Sequence, residues 1–206
     1  MCNLETPGVF LGPLRTGNPA SIDAEGVALG LLELQSIARG FTVADAAVKR
    51  AAVKLRVNRP VSPGKHLIVF DGDVAEVEES MEAARKQAGT TLCDDLLLAQ
   101  VHEEVLWALS RKERRPVFSE ASCGILETLS AASTVRGADA ACKAAEVQIF
   151  DLRLCDGLGG KGFCVFFGTQ DMVQAALATI EHLLSPGLLF GLALIARPDV
   201  DFLSSL

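Results

Sequence analysis

At 206 residues the chain is long enough for two domains of about 90 residues, each with its own core. A net charge of −7 and an isoelectric point near 5.0 exclude nucleic acid as the main partner, since that would need a basic face. Half the residues are hydrophobic but only 5% are aromatic, so the core is expected to be built from Ala, Val, Leu and Ile.

Residues 1–26 carry Pro7, Gly12, Pro13, Gly17 and Pro19 without periodicity and read as a flexible N-terminal extension. The start has no basic stretch followed by an apolar one, so no signal peptide is expected. Val27 to Leu34 is an apolar run with one charge, Glu33, and reads as a buried strand. Thr42 is expected to cap a short amphipathic helix with Val43, Ala46, Ala47 and Ala51 on one side and Asp45, Lys49 and Arg50 on the other. Val53 to Val61 returns as a strand, and Ser62-Pro63-Gly64-Lys65 is a turn. His66 to Phe70 is the next strand. Val74, Val77, Met81, Ala84 and Ala88 recur at helical spacing behind the N-cap candidate Asp73. Leu96 to Ala99 gives a last strand and Glu103 to Leu109 a short helix.

The second half runs through the same order. Gly124 to Thr128 reads as a strand, Gly137 to Ala145 as a helix, and Val147 to Leu154 as a strand. A glycine-rich loop from Cys155 to Gly160 leads to the strand Gly162 to Phe167. A helix over Met172 to Leu184, a strand over Leu188 to Ala196 and a final helical turn over Pro198 to Leu203 complete it. The apolar run 183–196 is broken by Ser185, Pro186 and Gly187 and is too short to span a bilayer.

The parallel is written in the residues themselves. Gly30 to Val53 aligns with Gly124 to Val147 at an offset of 94, with 12 of 24 positions identical. After a two-residue slip the match resumes at Gly64/Gly160, Lys65/Lys161, Val69/Val165 and Phe70/Phe166. Such a repeat decides the fold: an α+β protein with two tandem ferredoxin-like β-α-β-β-α-β units, helices on one face of an antiparallel sheet. The domains are placed at 27–109 and 122–206, joined by a charged linker over 110–121.

The six cysteines show no CxxC and no clustering with histidine, so most are expected to be small buried hydrophobes. His66, His102 and His182 have no base–nucleophile partners, and no catalytic or metal-binding residues are assigned. Glu33 and Glu127 occupy equivalent places in the two repeats and are expected to satisfy a repeated backbone or interface need rather than to act as a catalytic pair.

Gly30-Leu31-Leu32-Glu33-Leu34 and Gly124-Ile125-Leu126-Glu127-Thr128, the helix segments around Asp45-Lys49 and Asp139-Lys143, and Ile195-Ala196-Arg197-Pro198 together resemble the bacterial microcompartment shell proteins. The likeness is to their tandem-domain, unpermuted members, which assemble as trimers. That resemblance implies a homotrimeric, pseudohexameric structural tile in a microcompartment shell within the cytoplasm, meeting hexameric and pentameric shell proteins edge to edge. It implies a central pore for small metabolites, lined by Ser62, Pro63, Gly64, Lys65, Leu158, Gly159, Gly160 and Lys161. Six lysines per trimer would make the pore surroundings positive and favour anions or polarised carbonyls. It also implies tile-edge roles for Lys49, Lys143 and Arg197. The first repeat has Gln100-Val101 where the second has Arg197-Pro198, so the edges are not all alike.

In a tandem member of the family a Cys-Pro-Gly-Lys loop at this pore holds an iron–sulfur cluster. Here Ser62 stands at that place, a poor ligand for a cluster held by thiolates, and no cofactor is expected. Two other readings stay open: a redox shell protein carrying such a cluster, and a ferredoxin-like small-molecule-binding protein.

Overall fold

The computed structural model describes residues 27–110 and 121–206. The expected N-terminal extension and nearly all of the linker lie outside these residues.

The first unit runs β1 (Ala28–Leu34), α1 (Ile37–Arg50), β2 (Lys54–Val61), β3 (Lys65–Gly72), α2 (Val74–Ala88), a 3₁₀ turn (Gly89–Thr91), β4 (Leu92–Leu98) and α3 (Glu103–Leu109). The second repeats it as β5 (Ser122–Thr128), α4 (Ala131–Ala144), β6 (Gln148–Leu154), β7 (Gly162–Gly168), α5 (Gln170–Leu183), β8 (Leu189–Ile195) and α6 (Val200–Ser204). The sheets have matching orders, β2-β3-β1-β4 and β6-β7-β5-β8, antiparallel throughout. Each unit therefore interlocks two split βαβ crossovers. Even the irregularities recur: the β2–β3 register slips between Leu55 and Val57, and the β6–β7 register between Ile149 and Asp151.

Two helix starts lie earlier than the sequence pattern suggests. α1 begins at Ile37, capped by Ser36 Oγ accepting from Arg39 N, and Thr42 sits inside it. α4 begins at Ala131 rather than Gly137, capped by Ser130 Oγ accepting from Ser133 N. A serine at the N-cap relieves one of the unpaired amides of the first turn. β4 likewise starts at Leu92, because Asp94 and Asp95 find partners instead of breaking the strand: Asp95 meets Arg85 on α2, and Asp94 meets Ser130 and Ser133.

In the first unit α1 and α2 lie on Leu32, Leu34, Ile68 and Phe70 through Val43, Ala44, Ala47, Val77, Met81 and Ala84. Burying a side chain such as Phe70 contributes roughly 1.5–3 kcal/mol. Gly30 and Gly124 are repeated because the core ring lies against them: a Cβ would fall 2.5 Å from Phe70 Cε2 and 2.3 Å from Phe166 Cε2. A second cluster crosses from one unit to the other, joining Leu29, Leu31, Leu67, Val69 and Leu96 to Ala131, Val135 and Ala138 of α4. The repeats are thus packed into one body along this joint.

Candidate functional site

The β2–β3 turn and the β6–β7 loop, two stretches expected to line a pore, lie side by side. In the first, Gly64 N donates to Val61 O at 3.0 Å, and Gly64 takes φ 81°. The second is longer and takes positive φ at Gly157, Gly159 and Gly160, a path that glycine follows without a Cβ penalty, and also at Cys155. Ser62 N donates to Cys155 O at 3.2 Å, and Gly160 lies so near Pro63 that a Cβ there would fall 2.9 Å from Pro63 Cδ. Below the tips, the Arg59 guanidinium grips both carboxylate oxygens of Asp156, Nη2 to Oδ2 at 2.8 Å. This two-pronged pairing fixes direction as well as charge. Pro63, Gly64, Gly157 and Gly159 are exposed at the tips, and Leu158 is half-buried.

Both loop lysines are paired. Lys65 Nζ bonds Glu33 Oε1, and Lys161 Nζ bonds Glu127 Oε1 at 2.9 Å while lying 3.2 Å over the centre of the Phe190 ring. Partial burial works to lower the Lys65 pKa, but the Glu33 bond and charge outweigh it and hold the ammonium above its ordinary 10.5. A carboxylate thus offsets the positive charge expected of each lysine.

Glu33 does more than neutralise Lys65. It is fully buried, and its Oε2 accepts from Ala131 N at 2.8 Å, the first residue of α4 in the other repeat. A carboxylate at a helix N-terminus is favoured by both the open amides and the helix dipole. Around it, Asp94 accepts from the hydroxyls of Ser130 and Ser133. Asp139 Oδ1 accepts from His102 N at 2.8 Å, and Glu104 Oε2 from Ile149 N at 3.1 Å. Lys143 Nζ bonds both Asp139 Oδ2 and Gln100 O, placing this expected edge lysine on the joint with its side chain still 44% exposed.

The equivalents of these joint residues one repeat on are open. Glu127 is 38% exposed where Glu33 is 0%. Lys49 bonds Asp45 at 2.6 Å with side chains 73% and 58% exposed. Arg197 is exposed, with φ 54°. α4 buries ten of its fourteen residues and α1 only four, leaving Ile37, Phe41 and Val48 in the open. Sequence reasoning singled out the loops and lysines but missed the pairings of Arg59, Asp156, Asp94 and Glu104, whose partners lie 36 to 97 positions away; Asp94 and Asp156 themselves have no acidic counterpart in the other repeat.

The residues present do not suit an iron–sulfur cluster. Ser62 offers a hydroxyl, and Cys155 in the adjoining loop is buried, donates to Gly160 O at 3.3 Å and has its pKa pushed up to about 12 by burial. Among the described residues no group of three or more His, Cys, Asp or Glu is placed to hold a metal ion, and no helix is long and apolar enough to cross a membrane.

Two such repeats, in this order and joined in this way, define a tandem shell-type protein. The BMC domain profile matches residues 28–101 and 122–198, and the chain belongs to this family of bacterial microcompartment shell proteins. It is 37% identical over 172 residues to the bacterial microcompartment shell protein PduT of Citrobacter freundii, covering 83% of this chain and 92% of that one. Over 87 residues it is 30% identical to the carboxysome shell protein CcmK2 of Synechococcus elongatus, covering 40% of this chain and 85% of the relative. A crystal structure of a microcompartment protein from Desulfitobacterium hafniense superposes with a TM-score of 0.78 at 36% identity, covering 87% and 99% of the two chains. The fused permuted shell protein MSM0275 shares the fold, with a TM-score of 0.60 at 22% identity over 77% of this chain and 85% of that one.

Proposed function

We propose that three copies close head to tail into a ring of six domains, a structural tile of a microcompartment shell with a metabolite pore at its centre. The observation that carries this reading is the unfilled duplicate of the internal joint. Moving each contact on by one repeat pairs Glu127 with Ile37 N of the next copy, as Glu33 pairs with Ala131 N. It pairs Asp45 with Asp199 N, Lys49 with Arg197 O and Asp201 with Leu55 N, as Asp139, Lys143 and Glu104 pair inside the chain. The exposed Ile37, Phe41 and Val48 match the positions that α4 buries as Ala131, Val135 and Cys142. A self-complementary head and tail of this kind generates a ring when the rotation closes.

In that ring Ser62, Pro63, Gly64, Lys65, Leu158, Gly159, Gly160 and Lys161 surround the axis. With the lysines neutralised by Glu33 and Glu127, the polarity of the wall comes from loop amides as much as from side-chain charge. Small polar metabolites suit such an opening, and the protein has no catalytic role. Lys49, Lys143 and Arg197 lie at the tile perimeter and meet neighbouring hexameric and pentameric shell proteins. Size-exclusion chromatography with light scattering tests the ring: a mass of about 65 kDa is expected from copies of 21.8 kDa. A particle that remains monomeric at all concentrations overturns it.

A further inference from the structure

The joint inside the chain and its duplicate between copies are not equally equipped. Four of the side-chain contacts described above keep a partner of the same kind when moved on by one repeat: those of Glu33, Asp139, Lys143 and Glu104. The other two do not. Arg59 becomes Arg153, which keeps the guanidinium, but its partner Asp156 becomes Ser62. Strand register fixes this equivalence, since Arg59 stands opposite Leu67 and Arg153 opposite Phe163, and each is followed by the turn at the end of its strand. Asp94 becomes Gly191, opposite Glu127 as Asp94 is opposite Glu33, while its partners Ser130 and Ser133 become Ser36 and Arg39.

Within one chain Arg153 turns back onto Asp151, with Nε 3.0 and 2.9 Å from the two carboxylate oxygens, and stays 46% exposed. The first repeat has Val57 where Asp151 stands. An arginine lacking an acid across the seam therefore has one beside it in its own strand.

We infer that the ring is latched at three of its six seams only: by Arg59–Asp156 within each chain, and by no ion pair where Arg153 of one copy meets Ser62 of the next. This rests on the trimer reading. The central loops then move as three bound pairs, each made of the 62–65 and 155–161 loops of one chain, and the seams between pairs are the compliant ones. The partner at this surface is a second copy of the chain, and Ser62 is the position that sets how firmly it is held near the axis.

Substituting Ser62→Asp supplies the missing acid. The test mixes differently tagged trimers and follows subunit exchange by native mass spectrometry for the wild type, Ser62→Asp, Arg153→Ser and the double variant. Ser62→Asp is expected to slow exchange several-fold, and adding Arg153→Ser is expected to cancel that gain, since only residues that meet across the seam couple in such a cycle. Trimers whose exchange is unchanged by Ser62→Asp, or slowed equally with and without Arg153, overturn the inference while leaving the ring intact. A wild type that is monomeric in the same spectra overturns the ring itself.

Discussion

His66 shows how one position in the repeat was rebuilt. It is fully buried, with Nε2 2.7 Å from Asn58 Oδ1 and its ring edge-on to Phe41 at 4.7 Å. Gly40 makes room for it, since a Cβ there would fall 2.2 Å from His66 Cγ. The second repeat inverts the exchange: Gly162 replaces the histidine, and Thr134 fills the space from the helix side, 2.1 Å from where a Gly162 Cβ would lie. With the amide oxygen as acceptor, Nε2 carries the proton and Nδ1 is a buried atom with no hydrogen-bond partner. Burial alone lowers the His66 pKa below its ordinary 6.5. The unfolded chain then binds the proton first as pH falls, so stability is full above about 6.5 and declines below it, levelling off once the folded form also protonates. Thermal melts between pH 8 and 5 should show this decline in the wild type and lose much of it in His66→Gln. An equal decline in both would assign the effect elsewhere.

At the scale of elements, the contrast between α1 and α4 explains what the sequence could and could not reveal. The element order and α2 are legible because the apolar residues of α2, Val77, Met81, Ala84 and Ala88, recur at helical spacing and face a core within the same repeat. The first turns of α1 and α4 are not, because α4 completes its pattern only against the other repeat, and Ile37 and Phe41 are exposed off the amphipathic stripe of α1. β4 begins earlier than its pattern suggests for a related reason: Asp94 and Asp95 look like strand breakers until Ser130 and Arg85 are brought to them. The loop pair could be anticipated from the Gly-Lys repeat, whereas the Arg59–Asp156 grip joins residues 97 apart without a second copy to point to it. Phe41, 50% exposed on α1, is the side chain to test. Phe41→Asp should leave far-ultraviolet circular dichroism unchanged and shift the protein from trimer to monomer, since a charge would be carried into an apolar seam. A trimer of undiminished stability would show that α1 does not dock there.

For the whole molecule, the two units also differ on the sheet face away from their own two long helices. The Arg56–Asp71 ion pair, with side chains 9% and 7% exposed, holds the place that Phe150 and Phe167 fill as an edge-on aromatic pair at 5.6 Å. Arg197, which the proposed tile sets at its perimeter, has Gln100 as its counterpart. Arg197→Ala should therefore leave trimers intact in solution while reducing the flat arrays seen by negative-stain microscopy. Arrays of unchanged extent would remove Arg197 from the tile edge.

The joint that α4 makes with the first sheet has one more effect, on the statistics of assembly. A ring of six separate domains must gather six bodies, each losing its freedom to tumble and drift. In the proposed ring the chain itself would hold neighbouring domains together at a high local concentration, so half of the encounters would be complete before any copy meets another. The peptide connection also sets the sequence of parts around the circle. In such a ring first and second repeats would alternate, in equal number, however the supply of chains rises or falls.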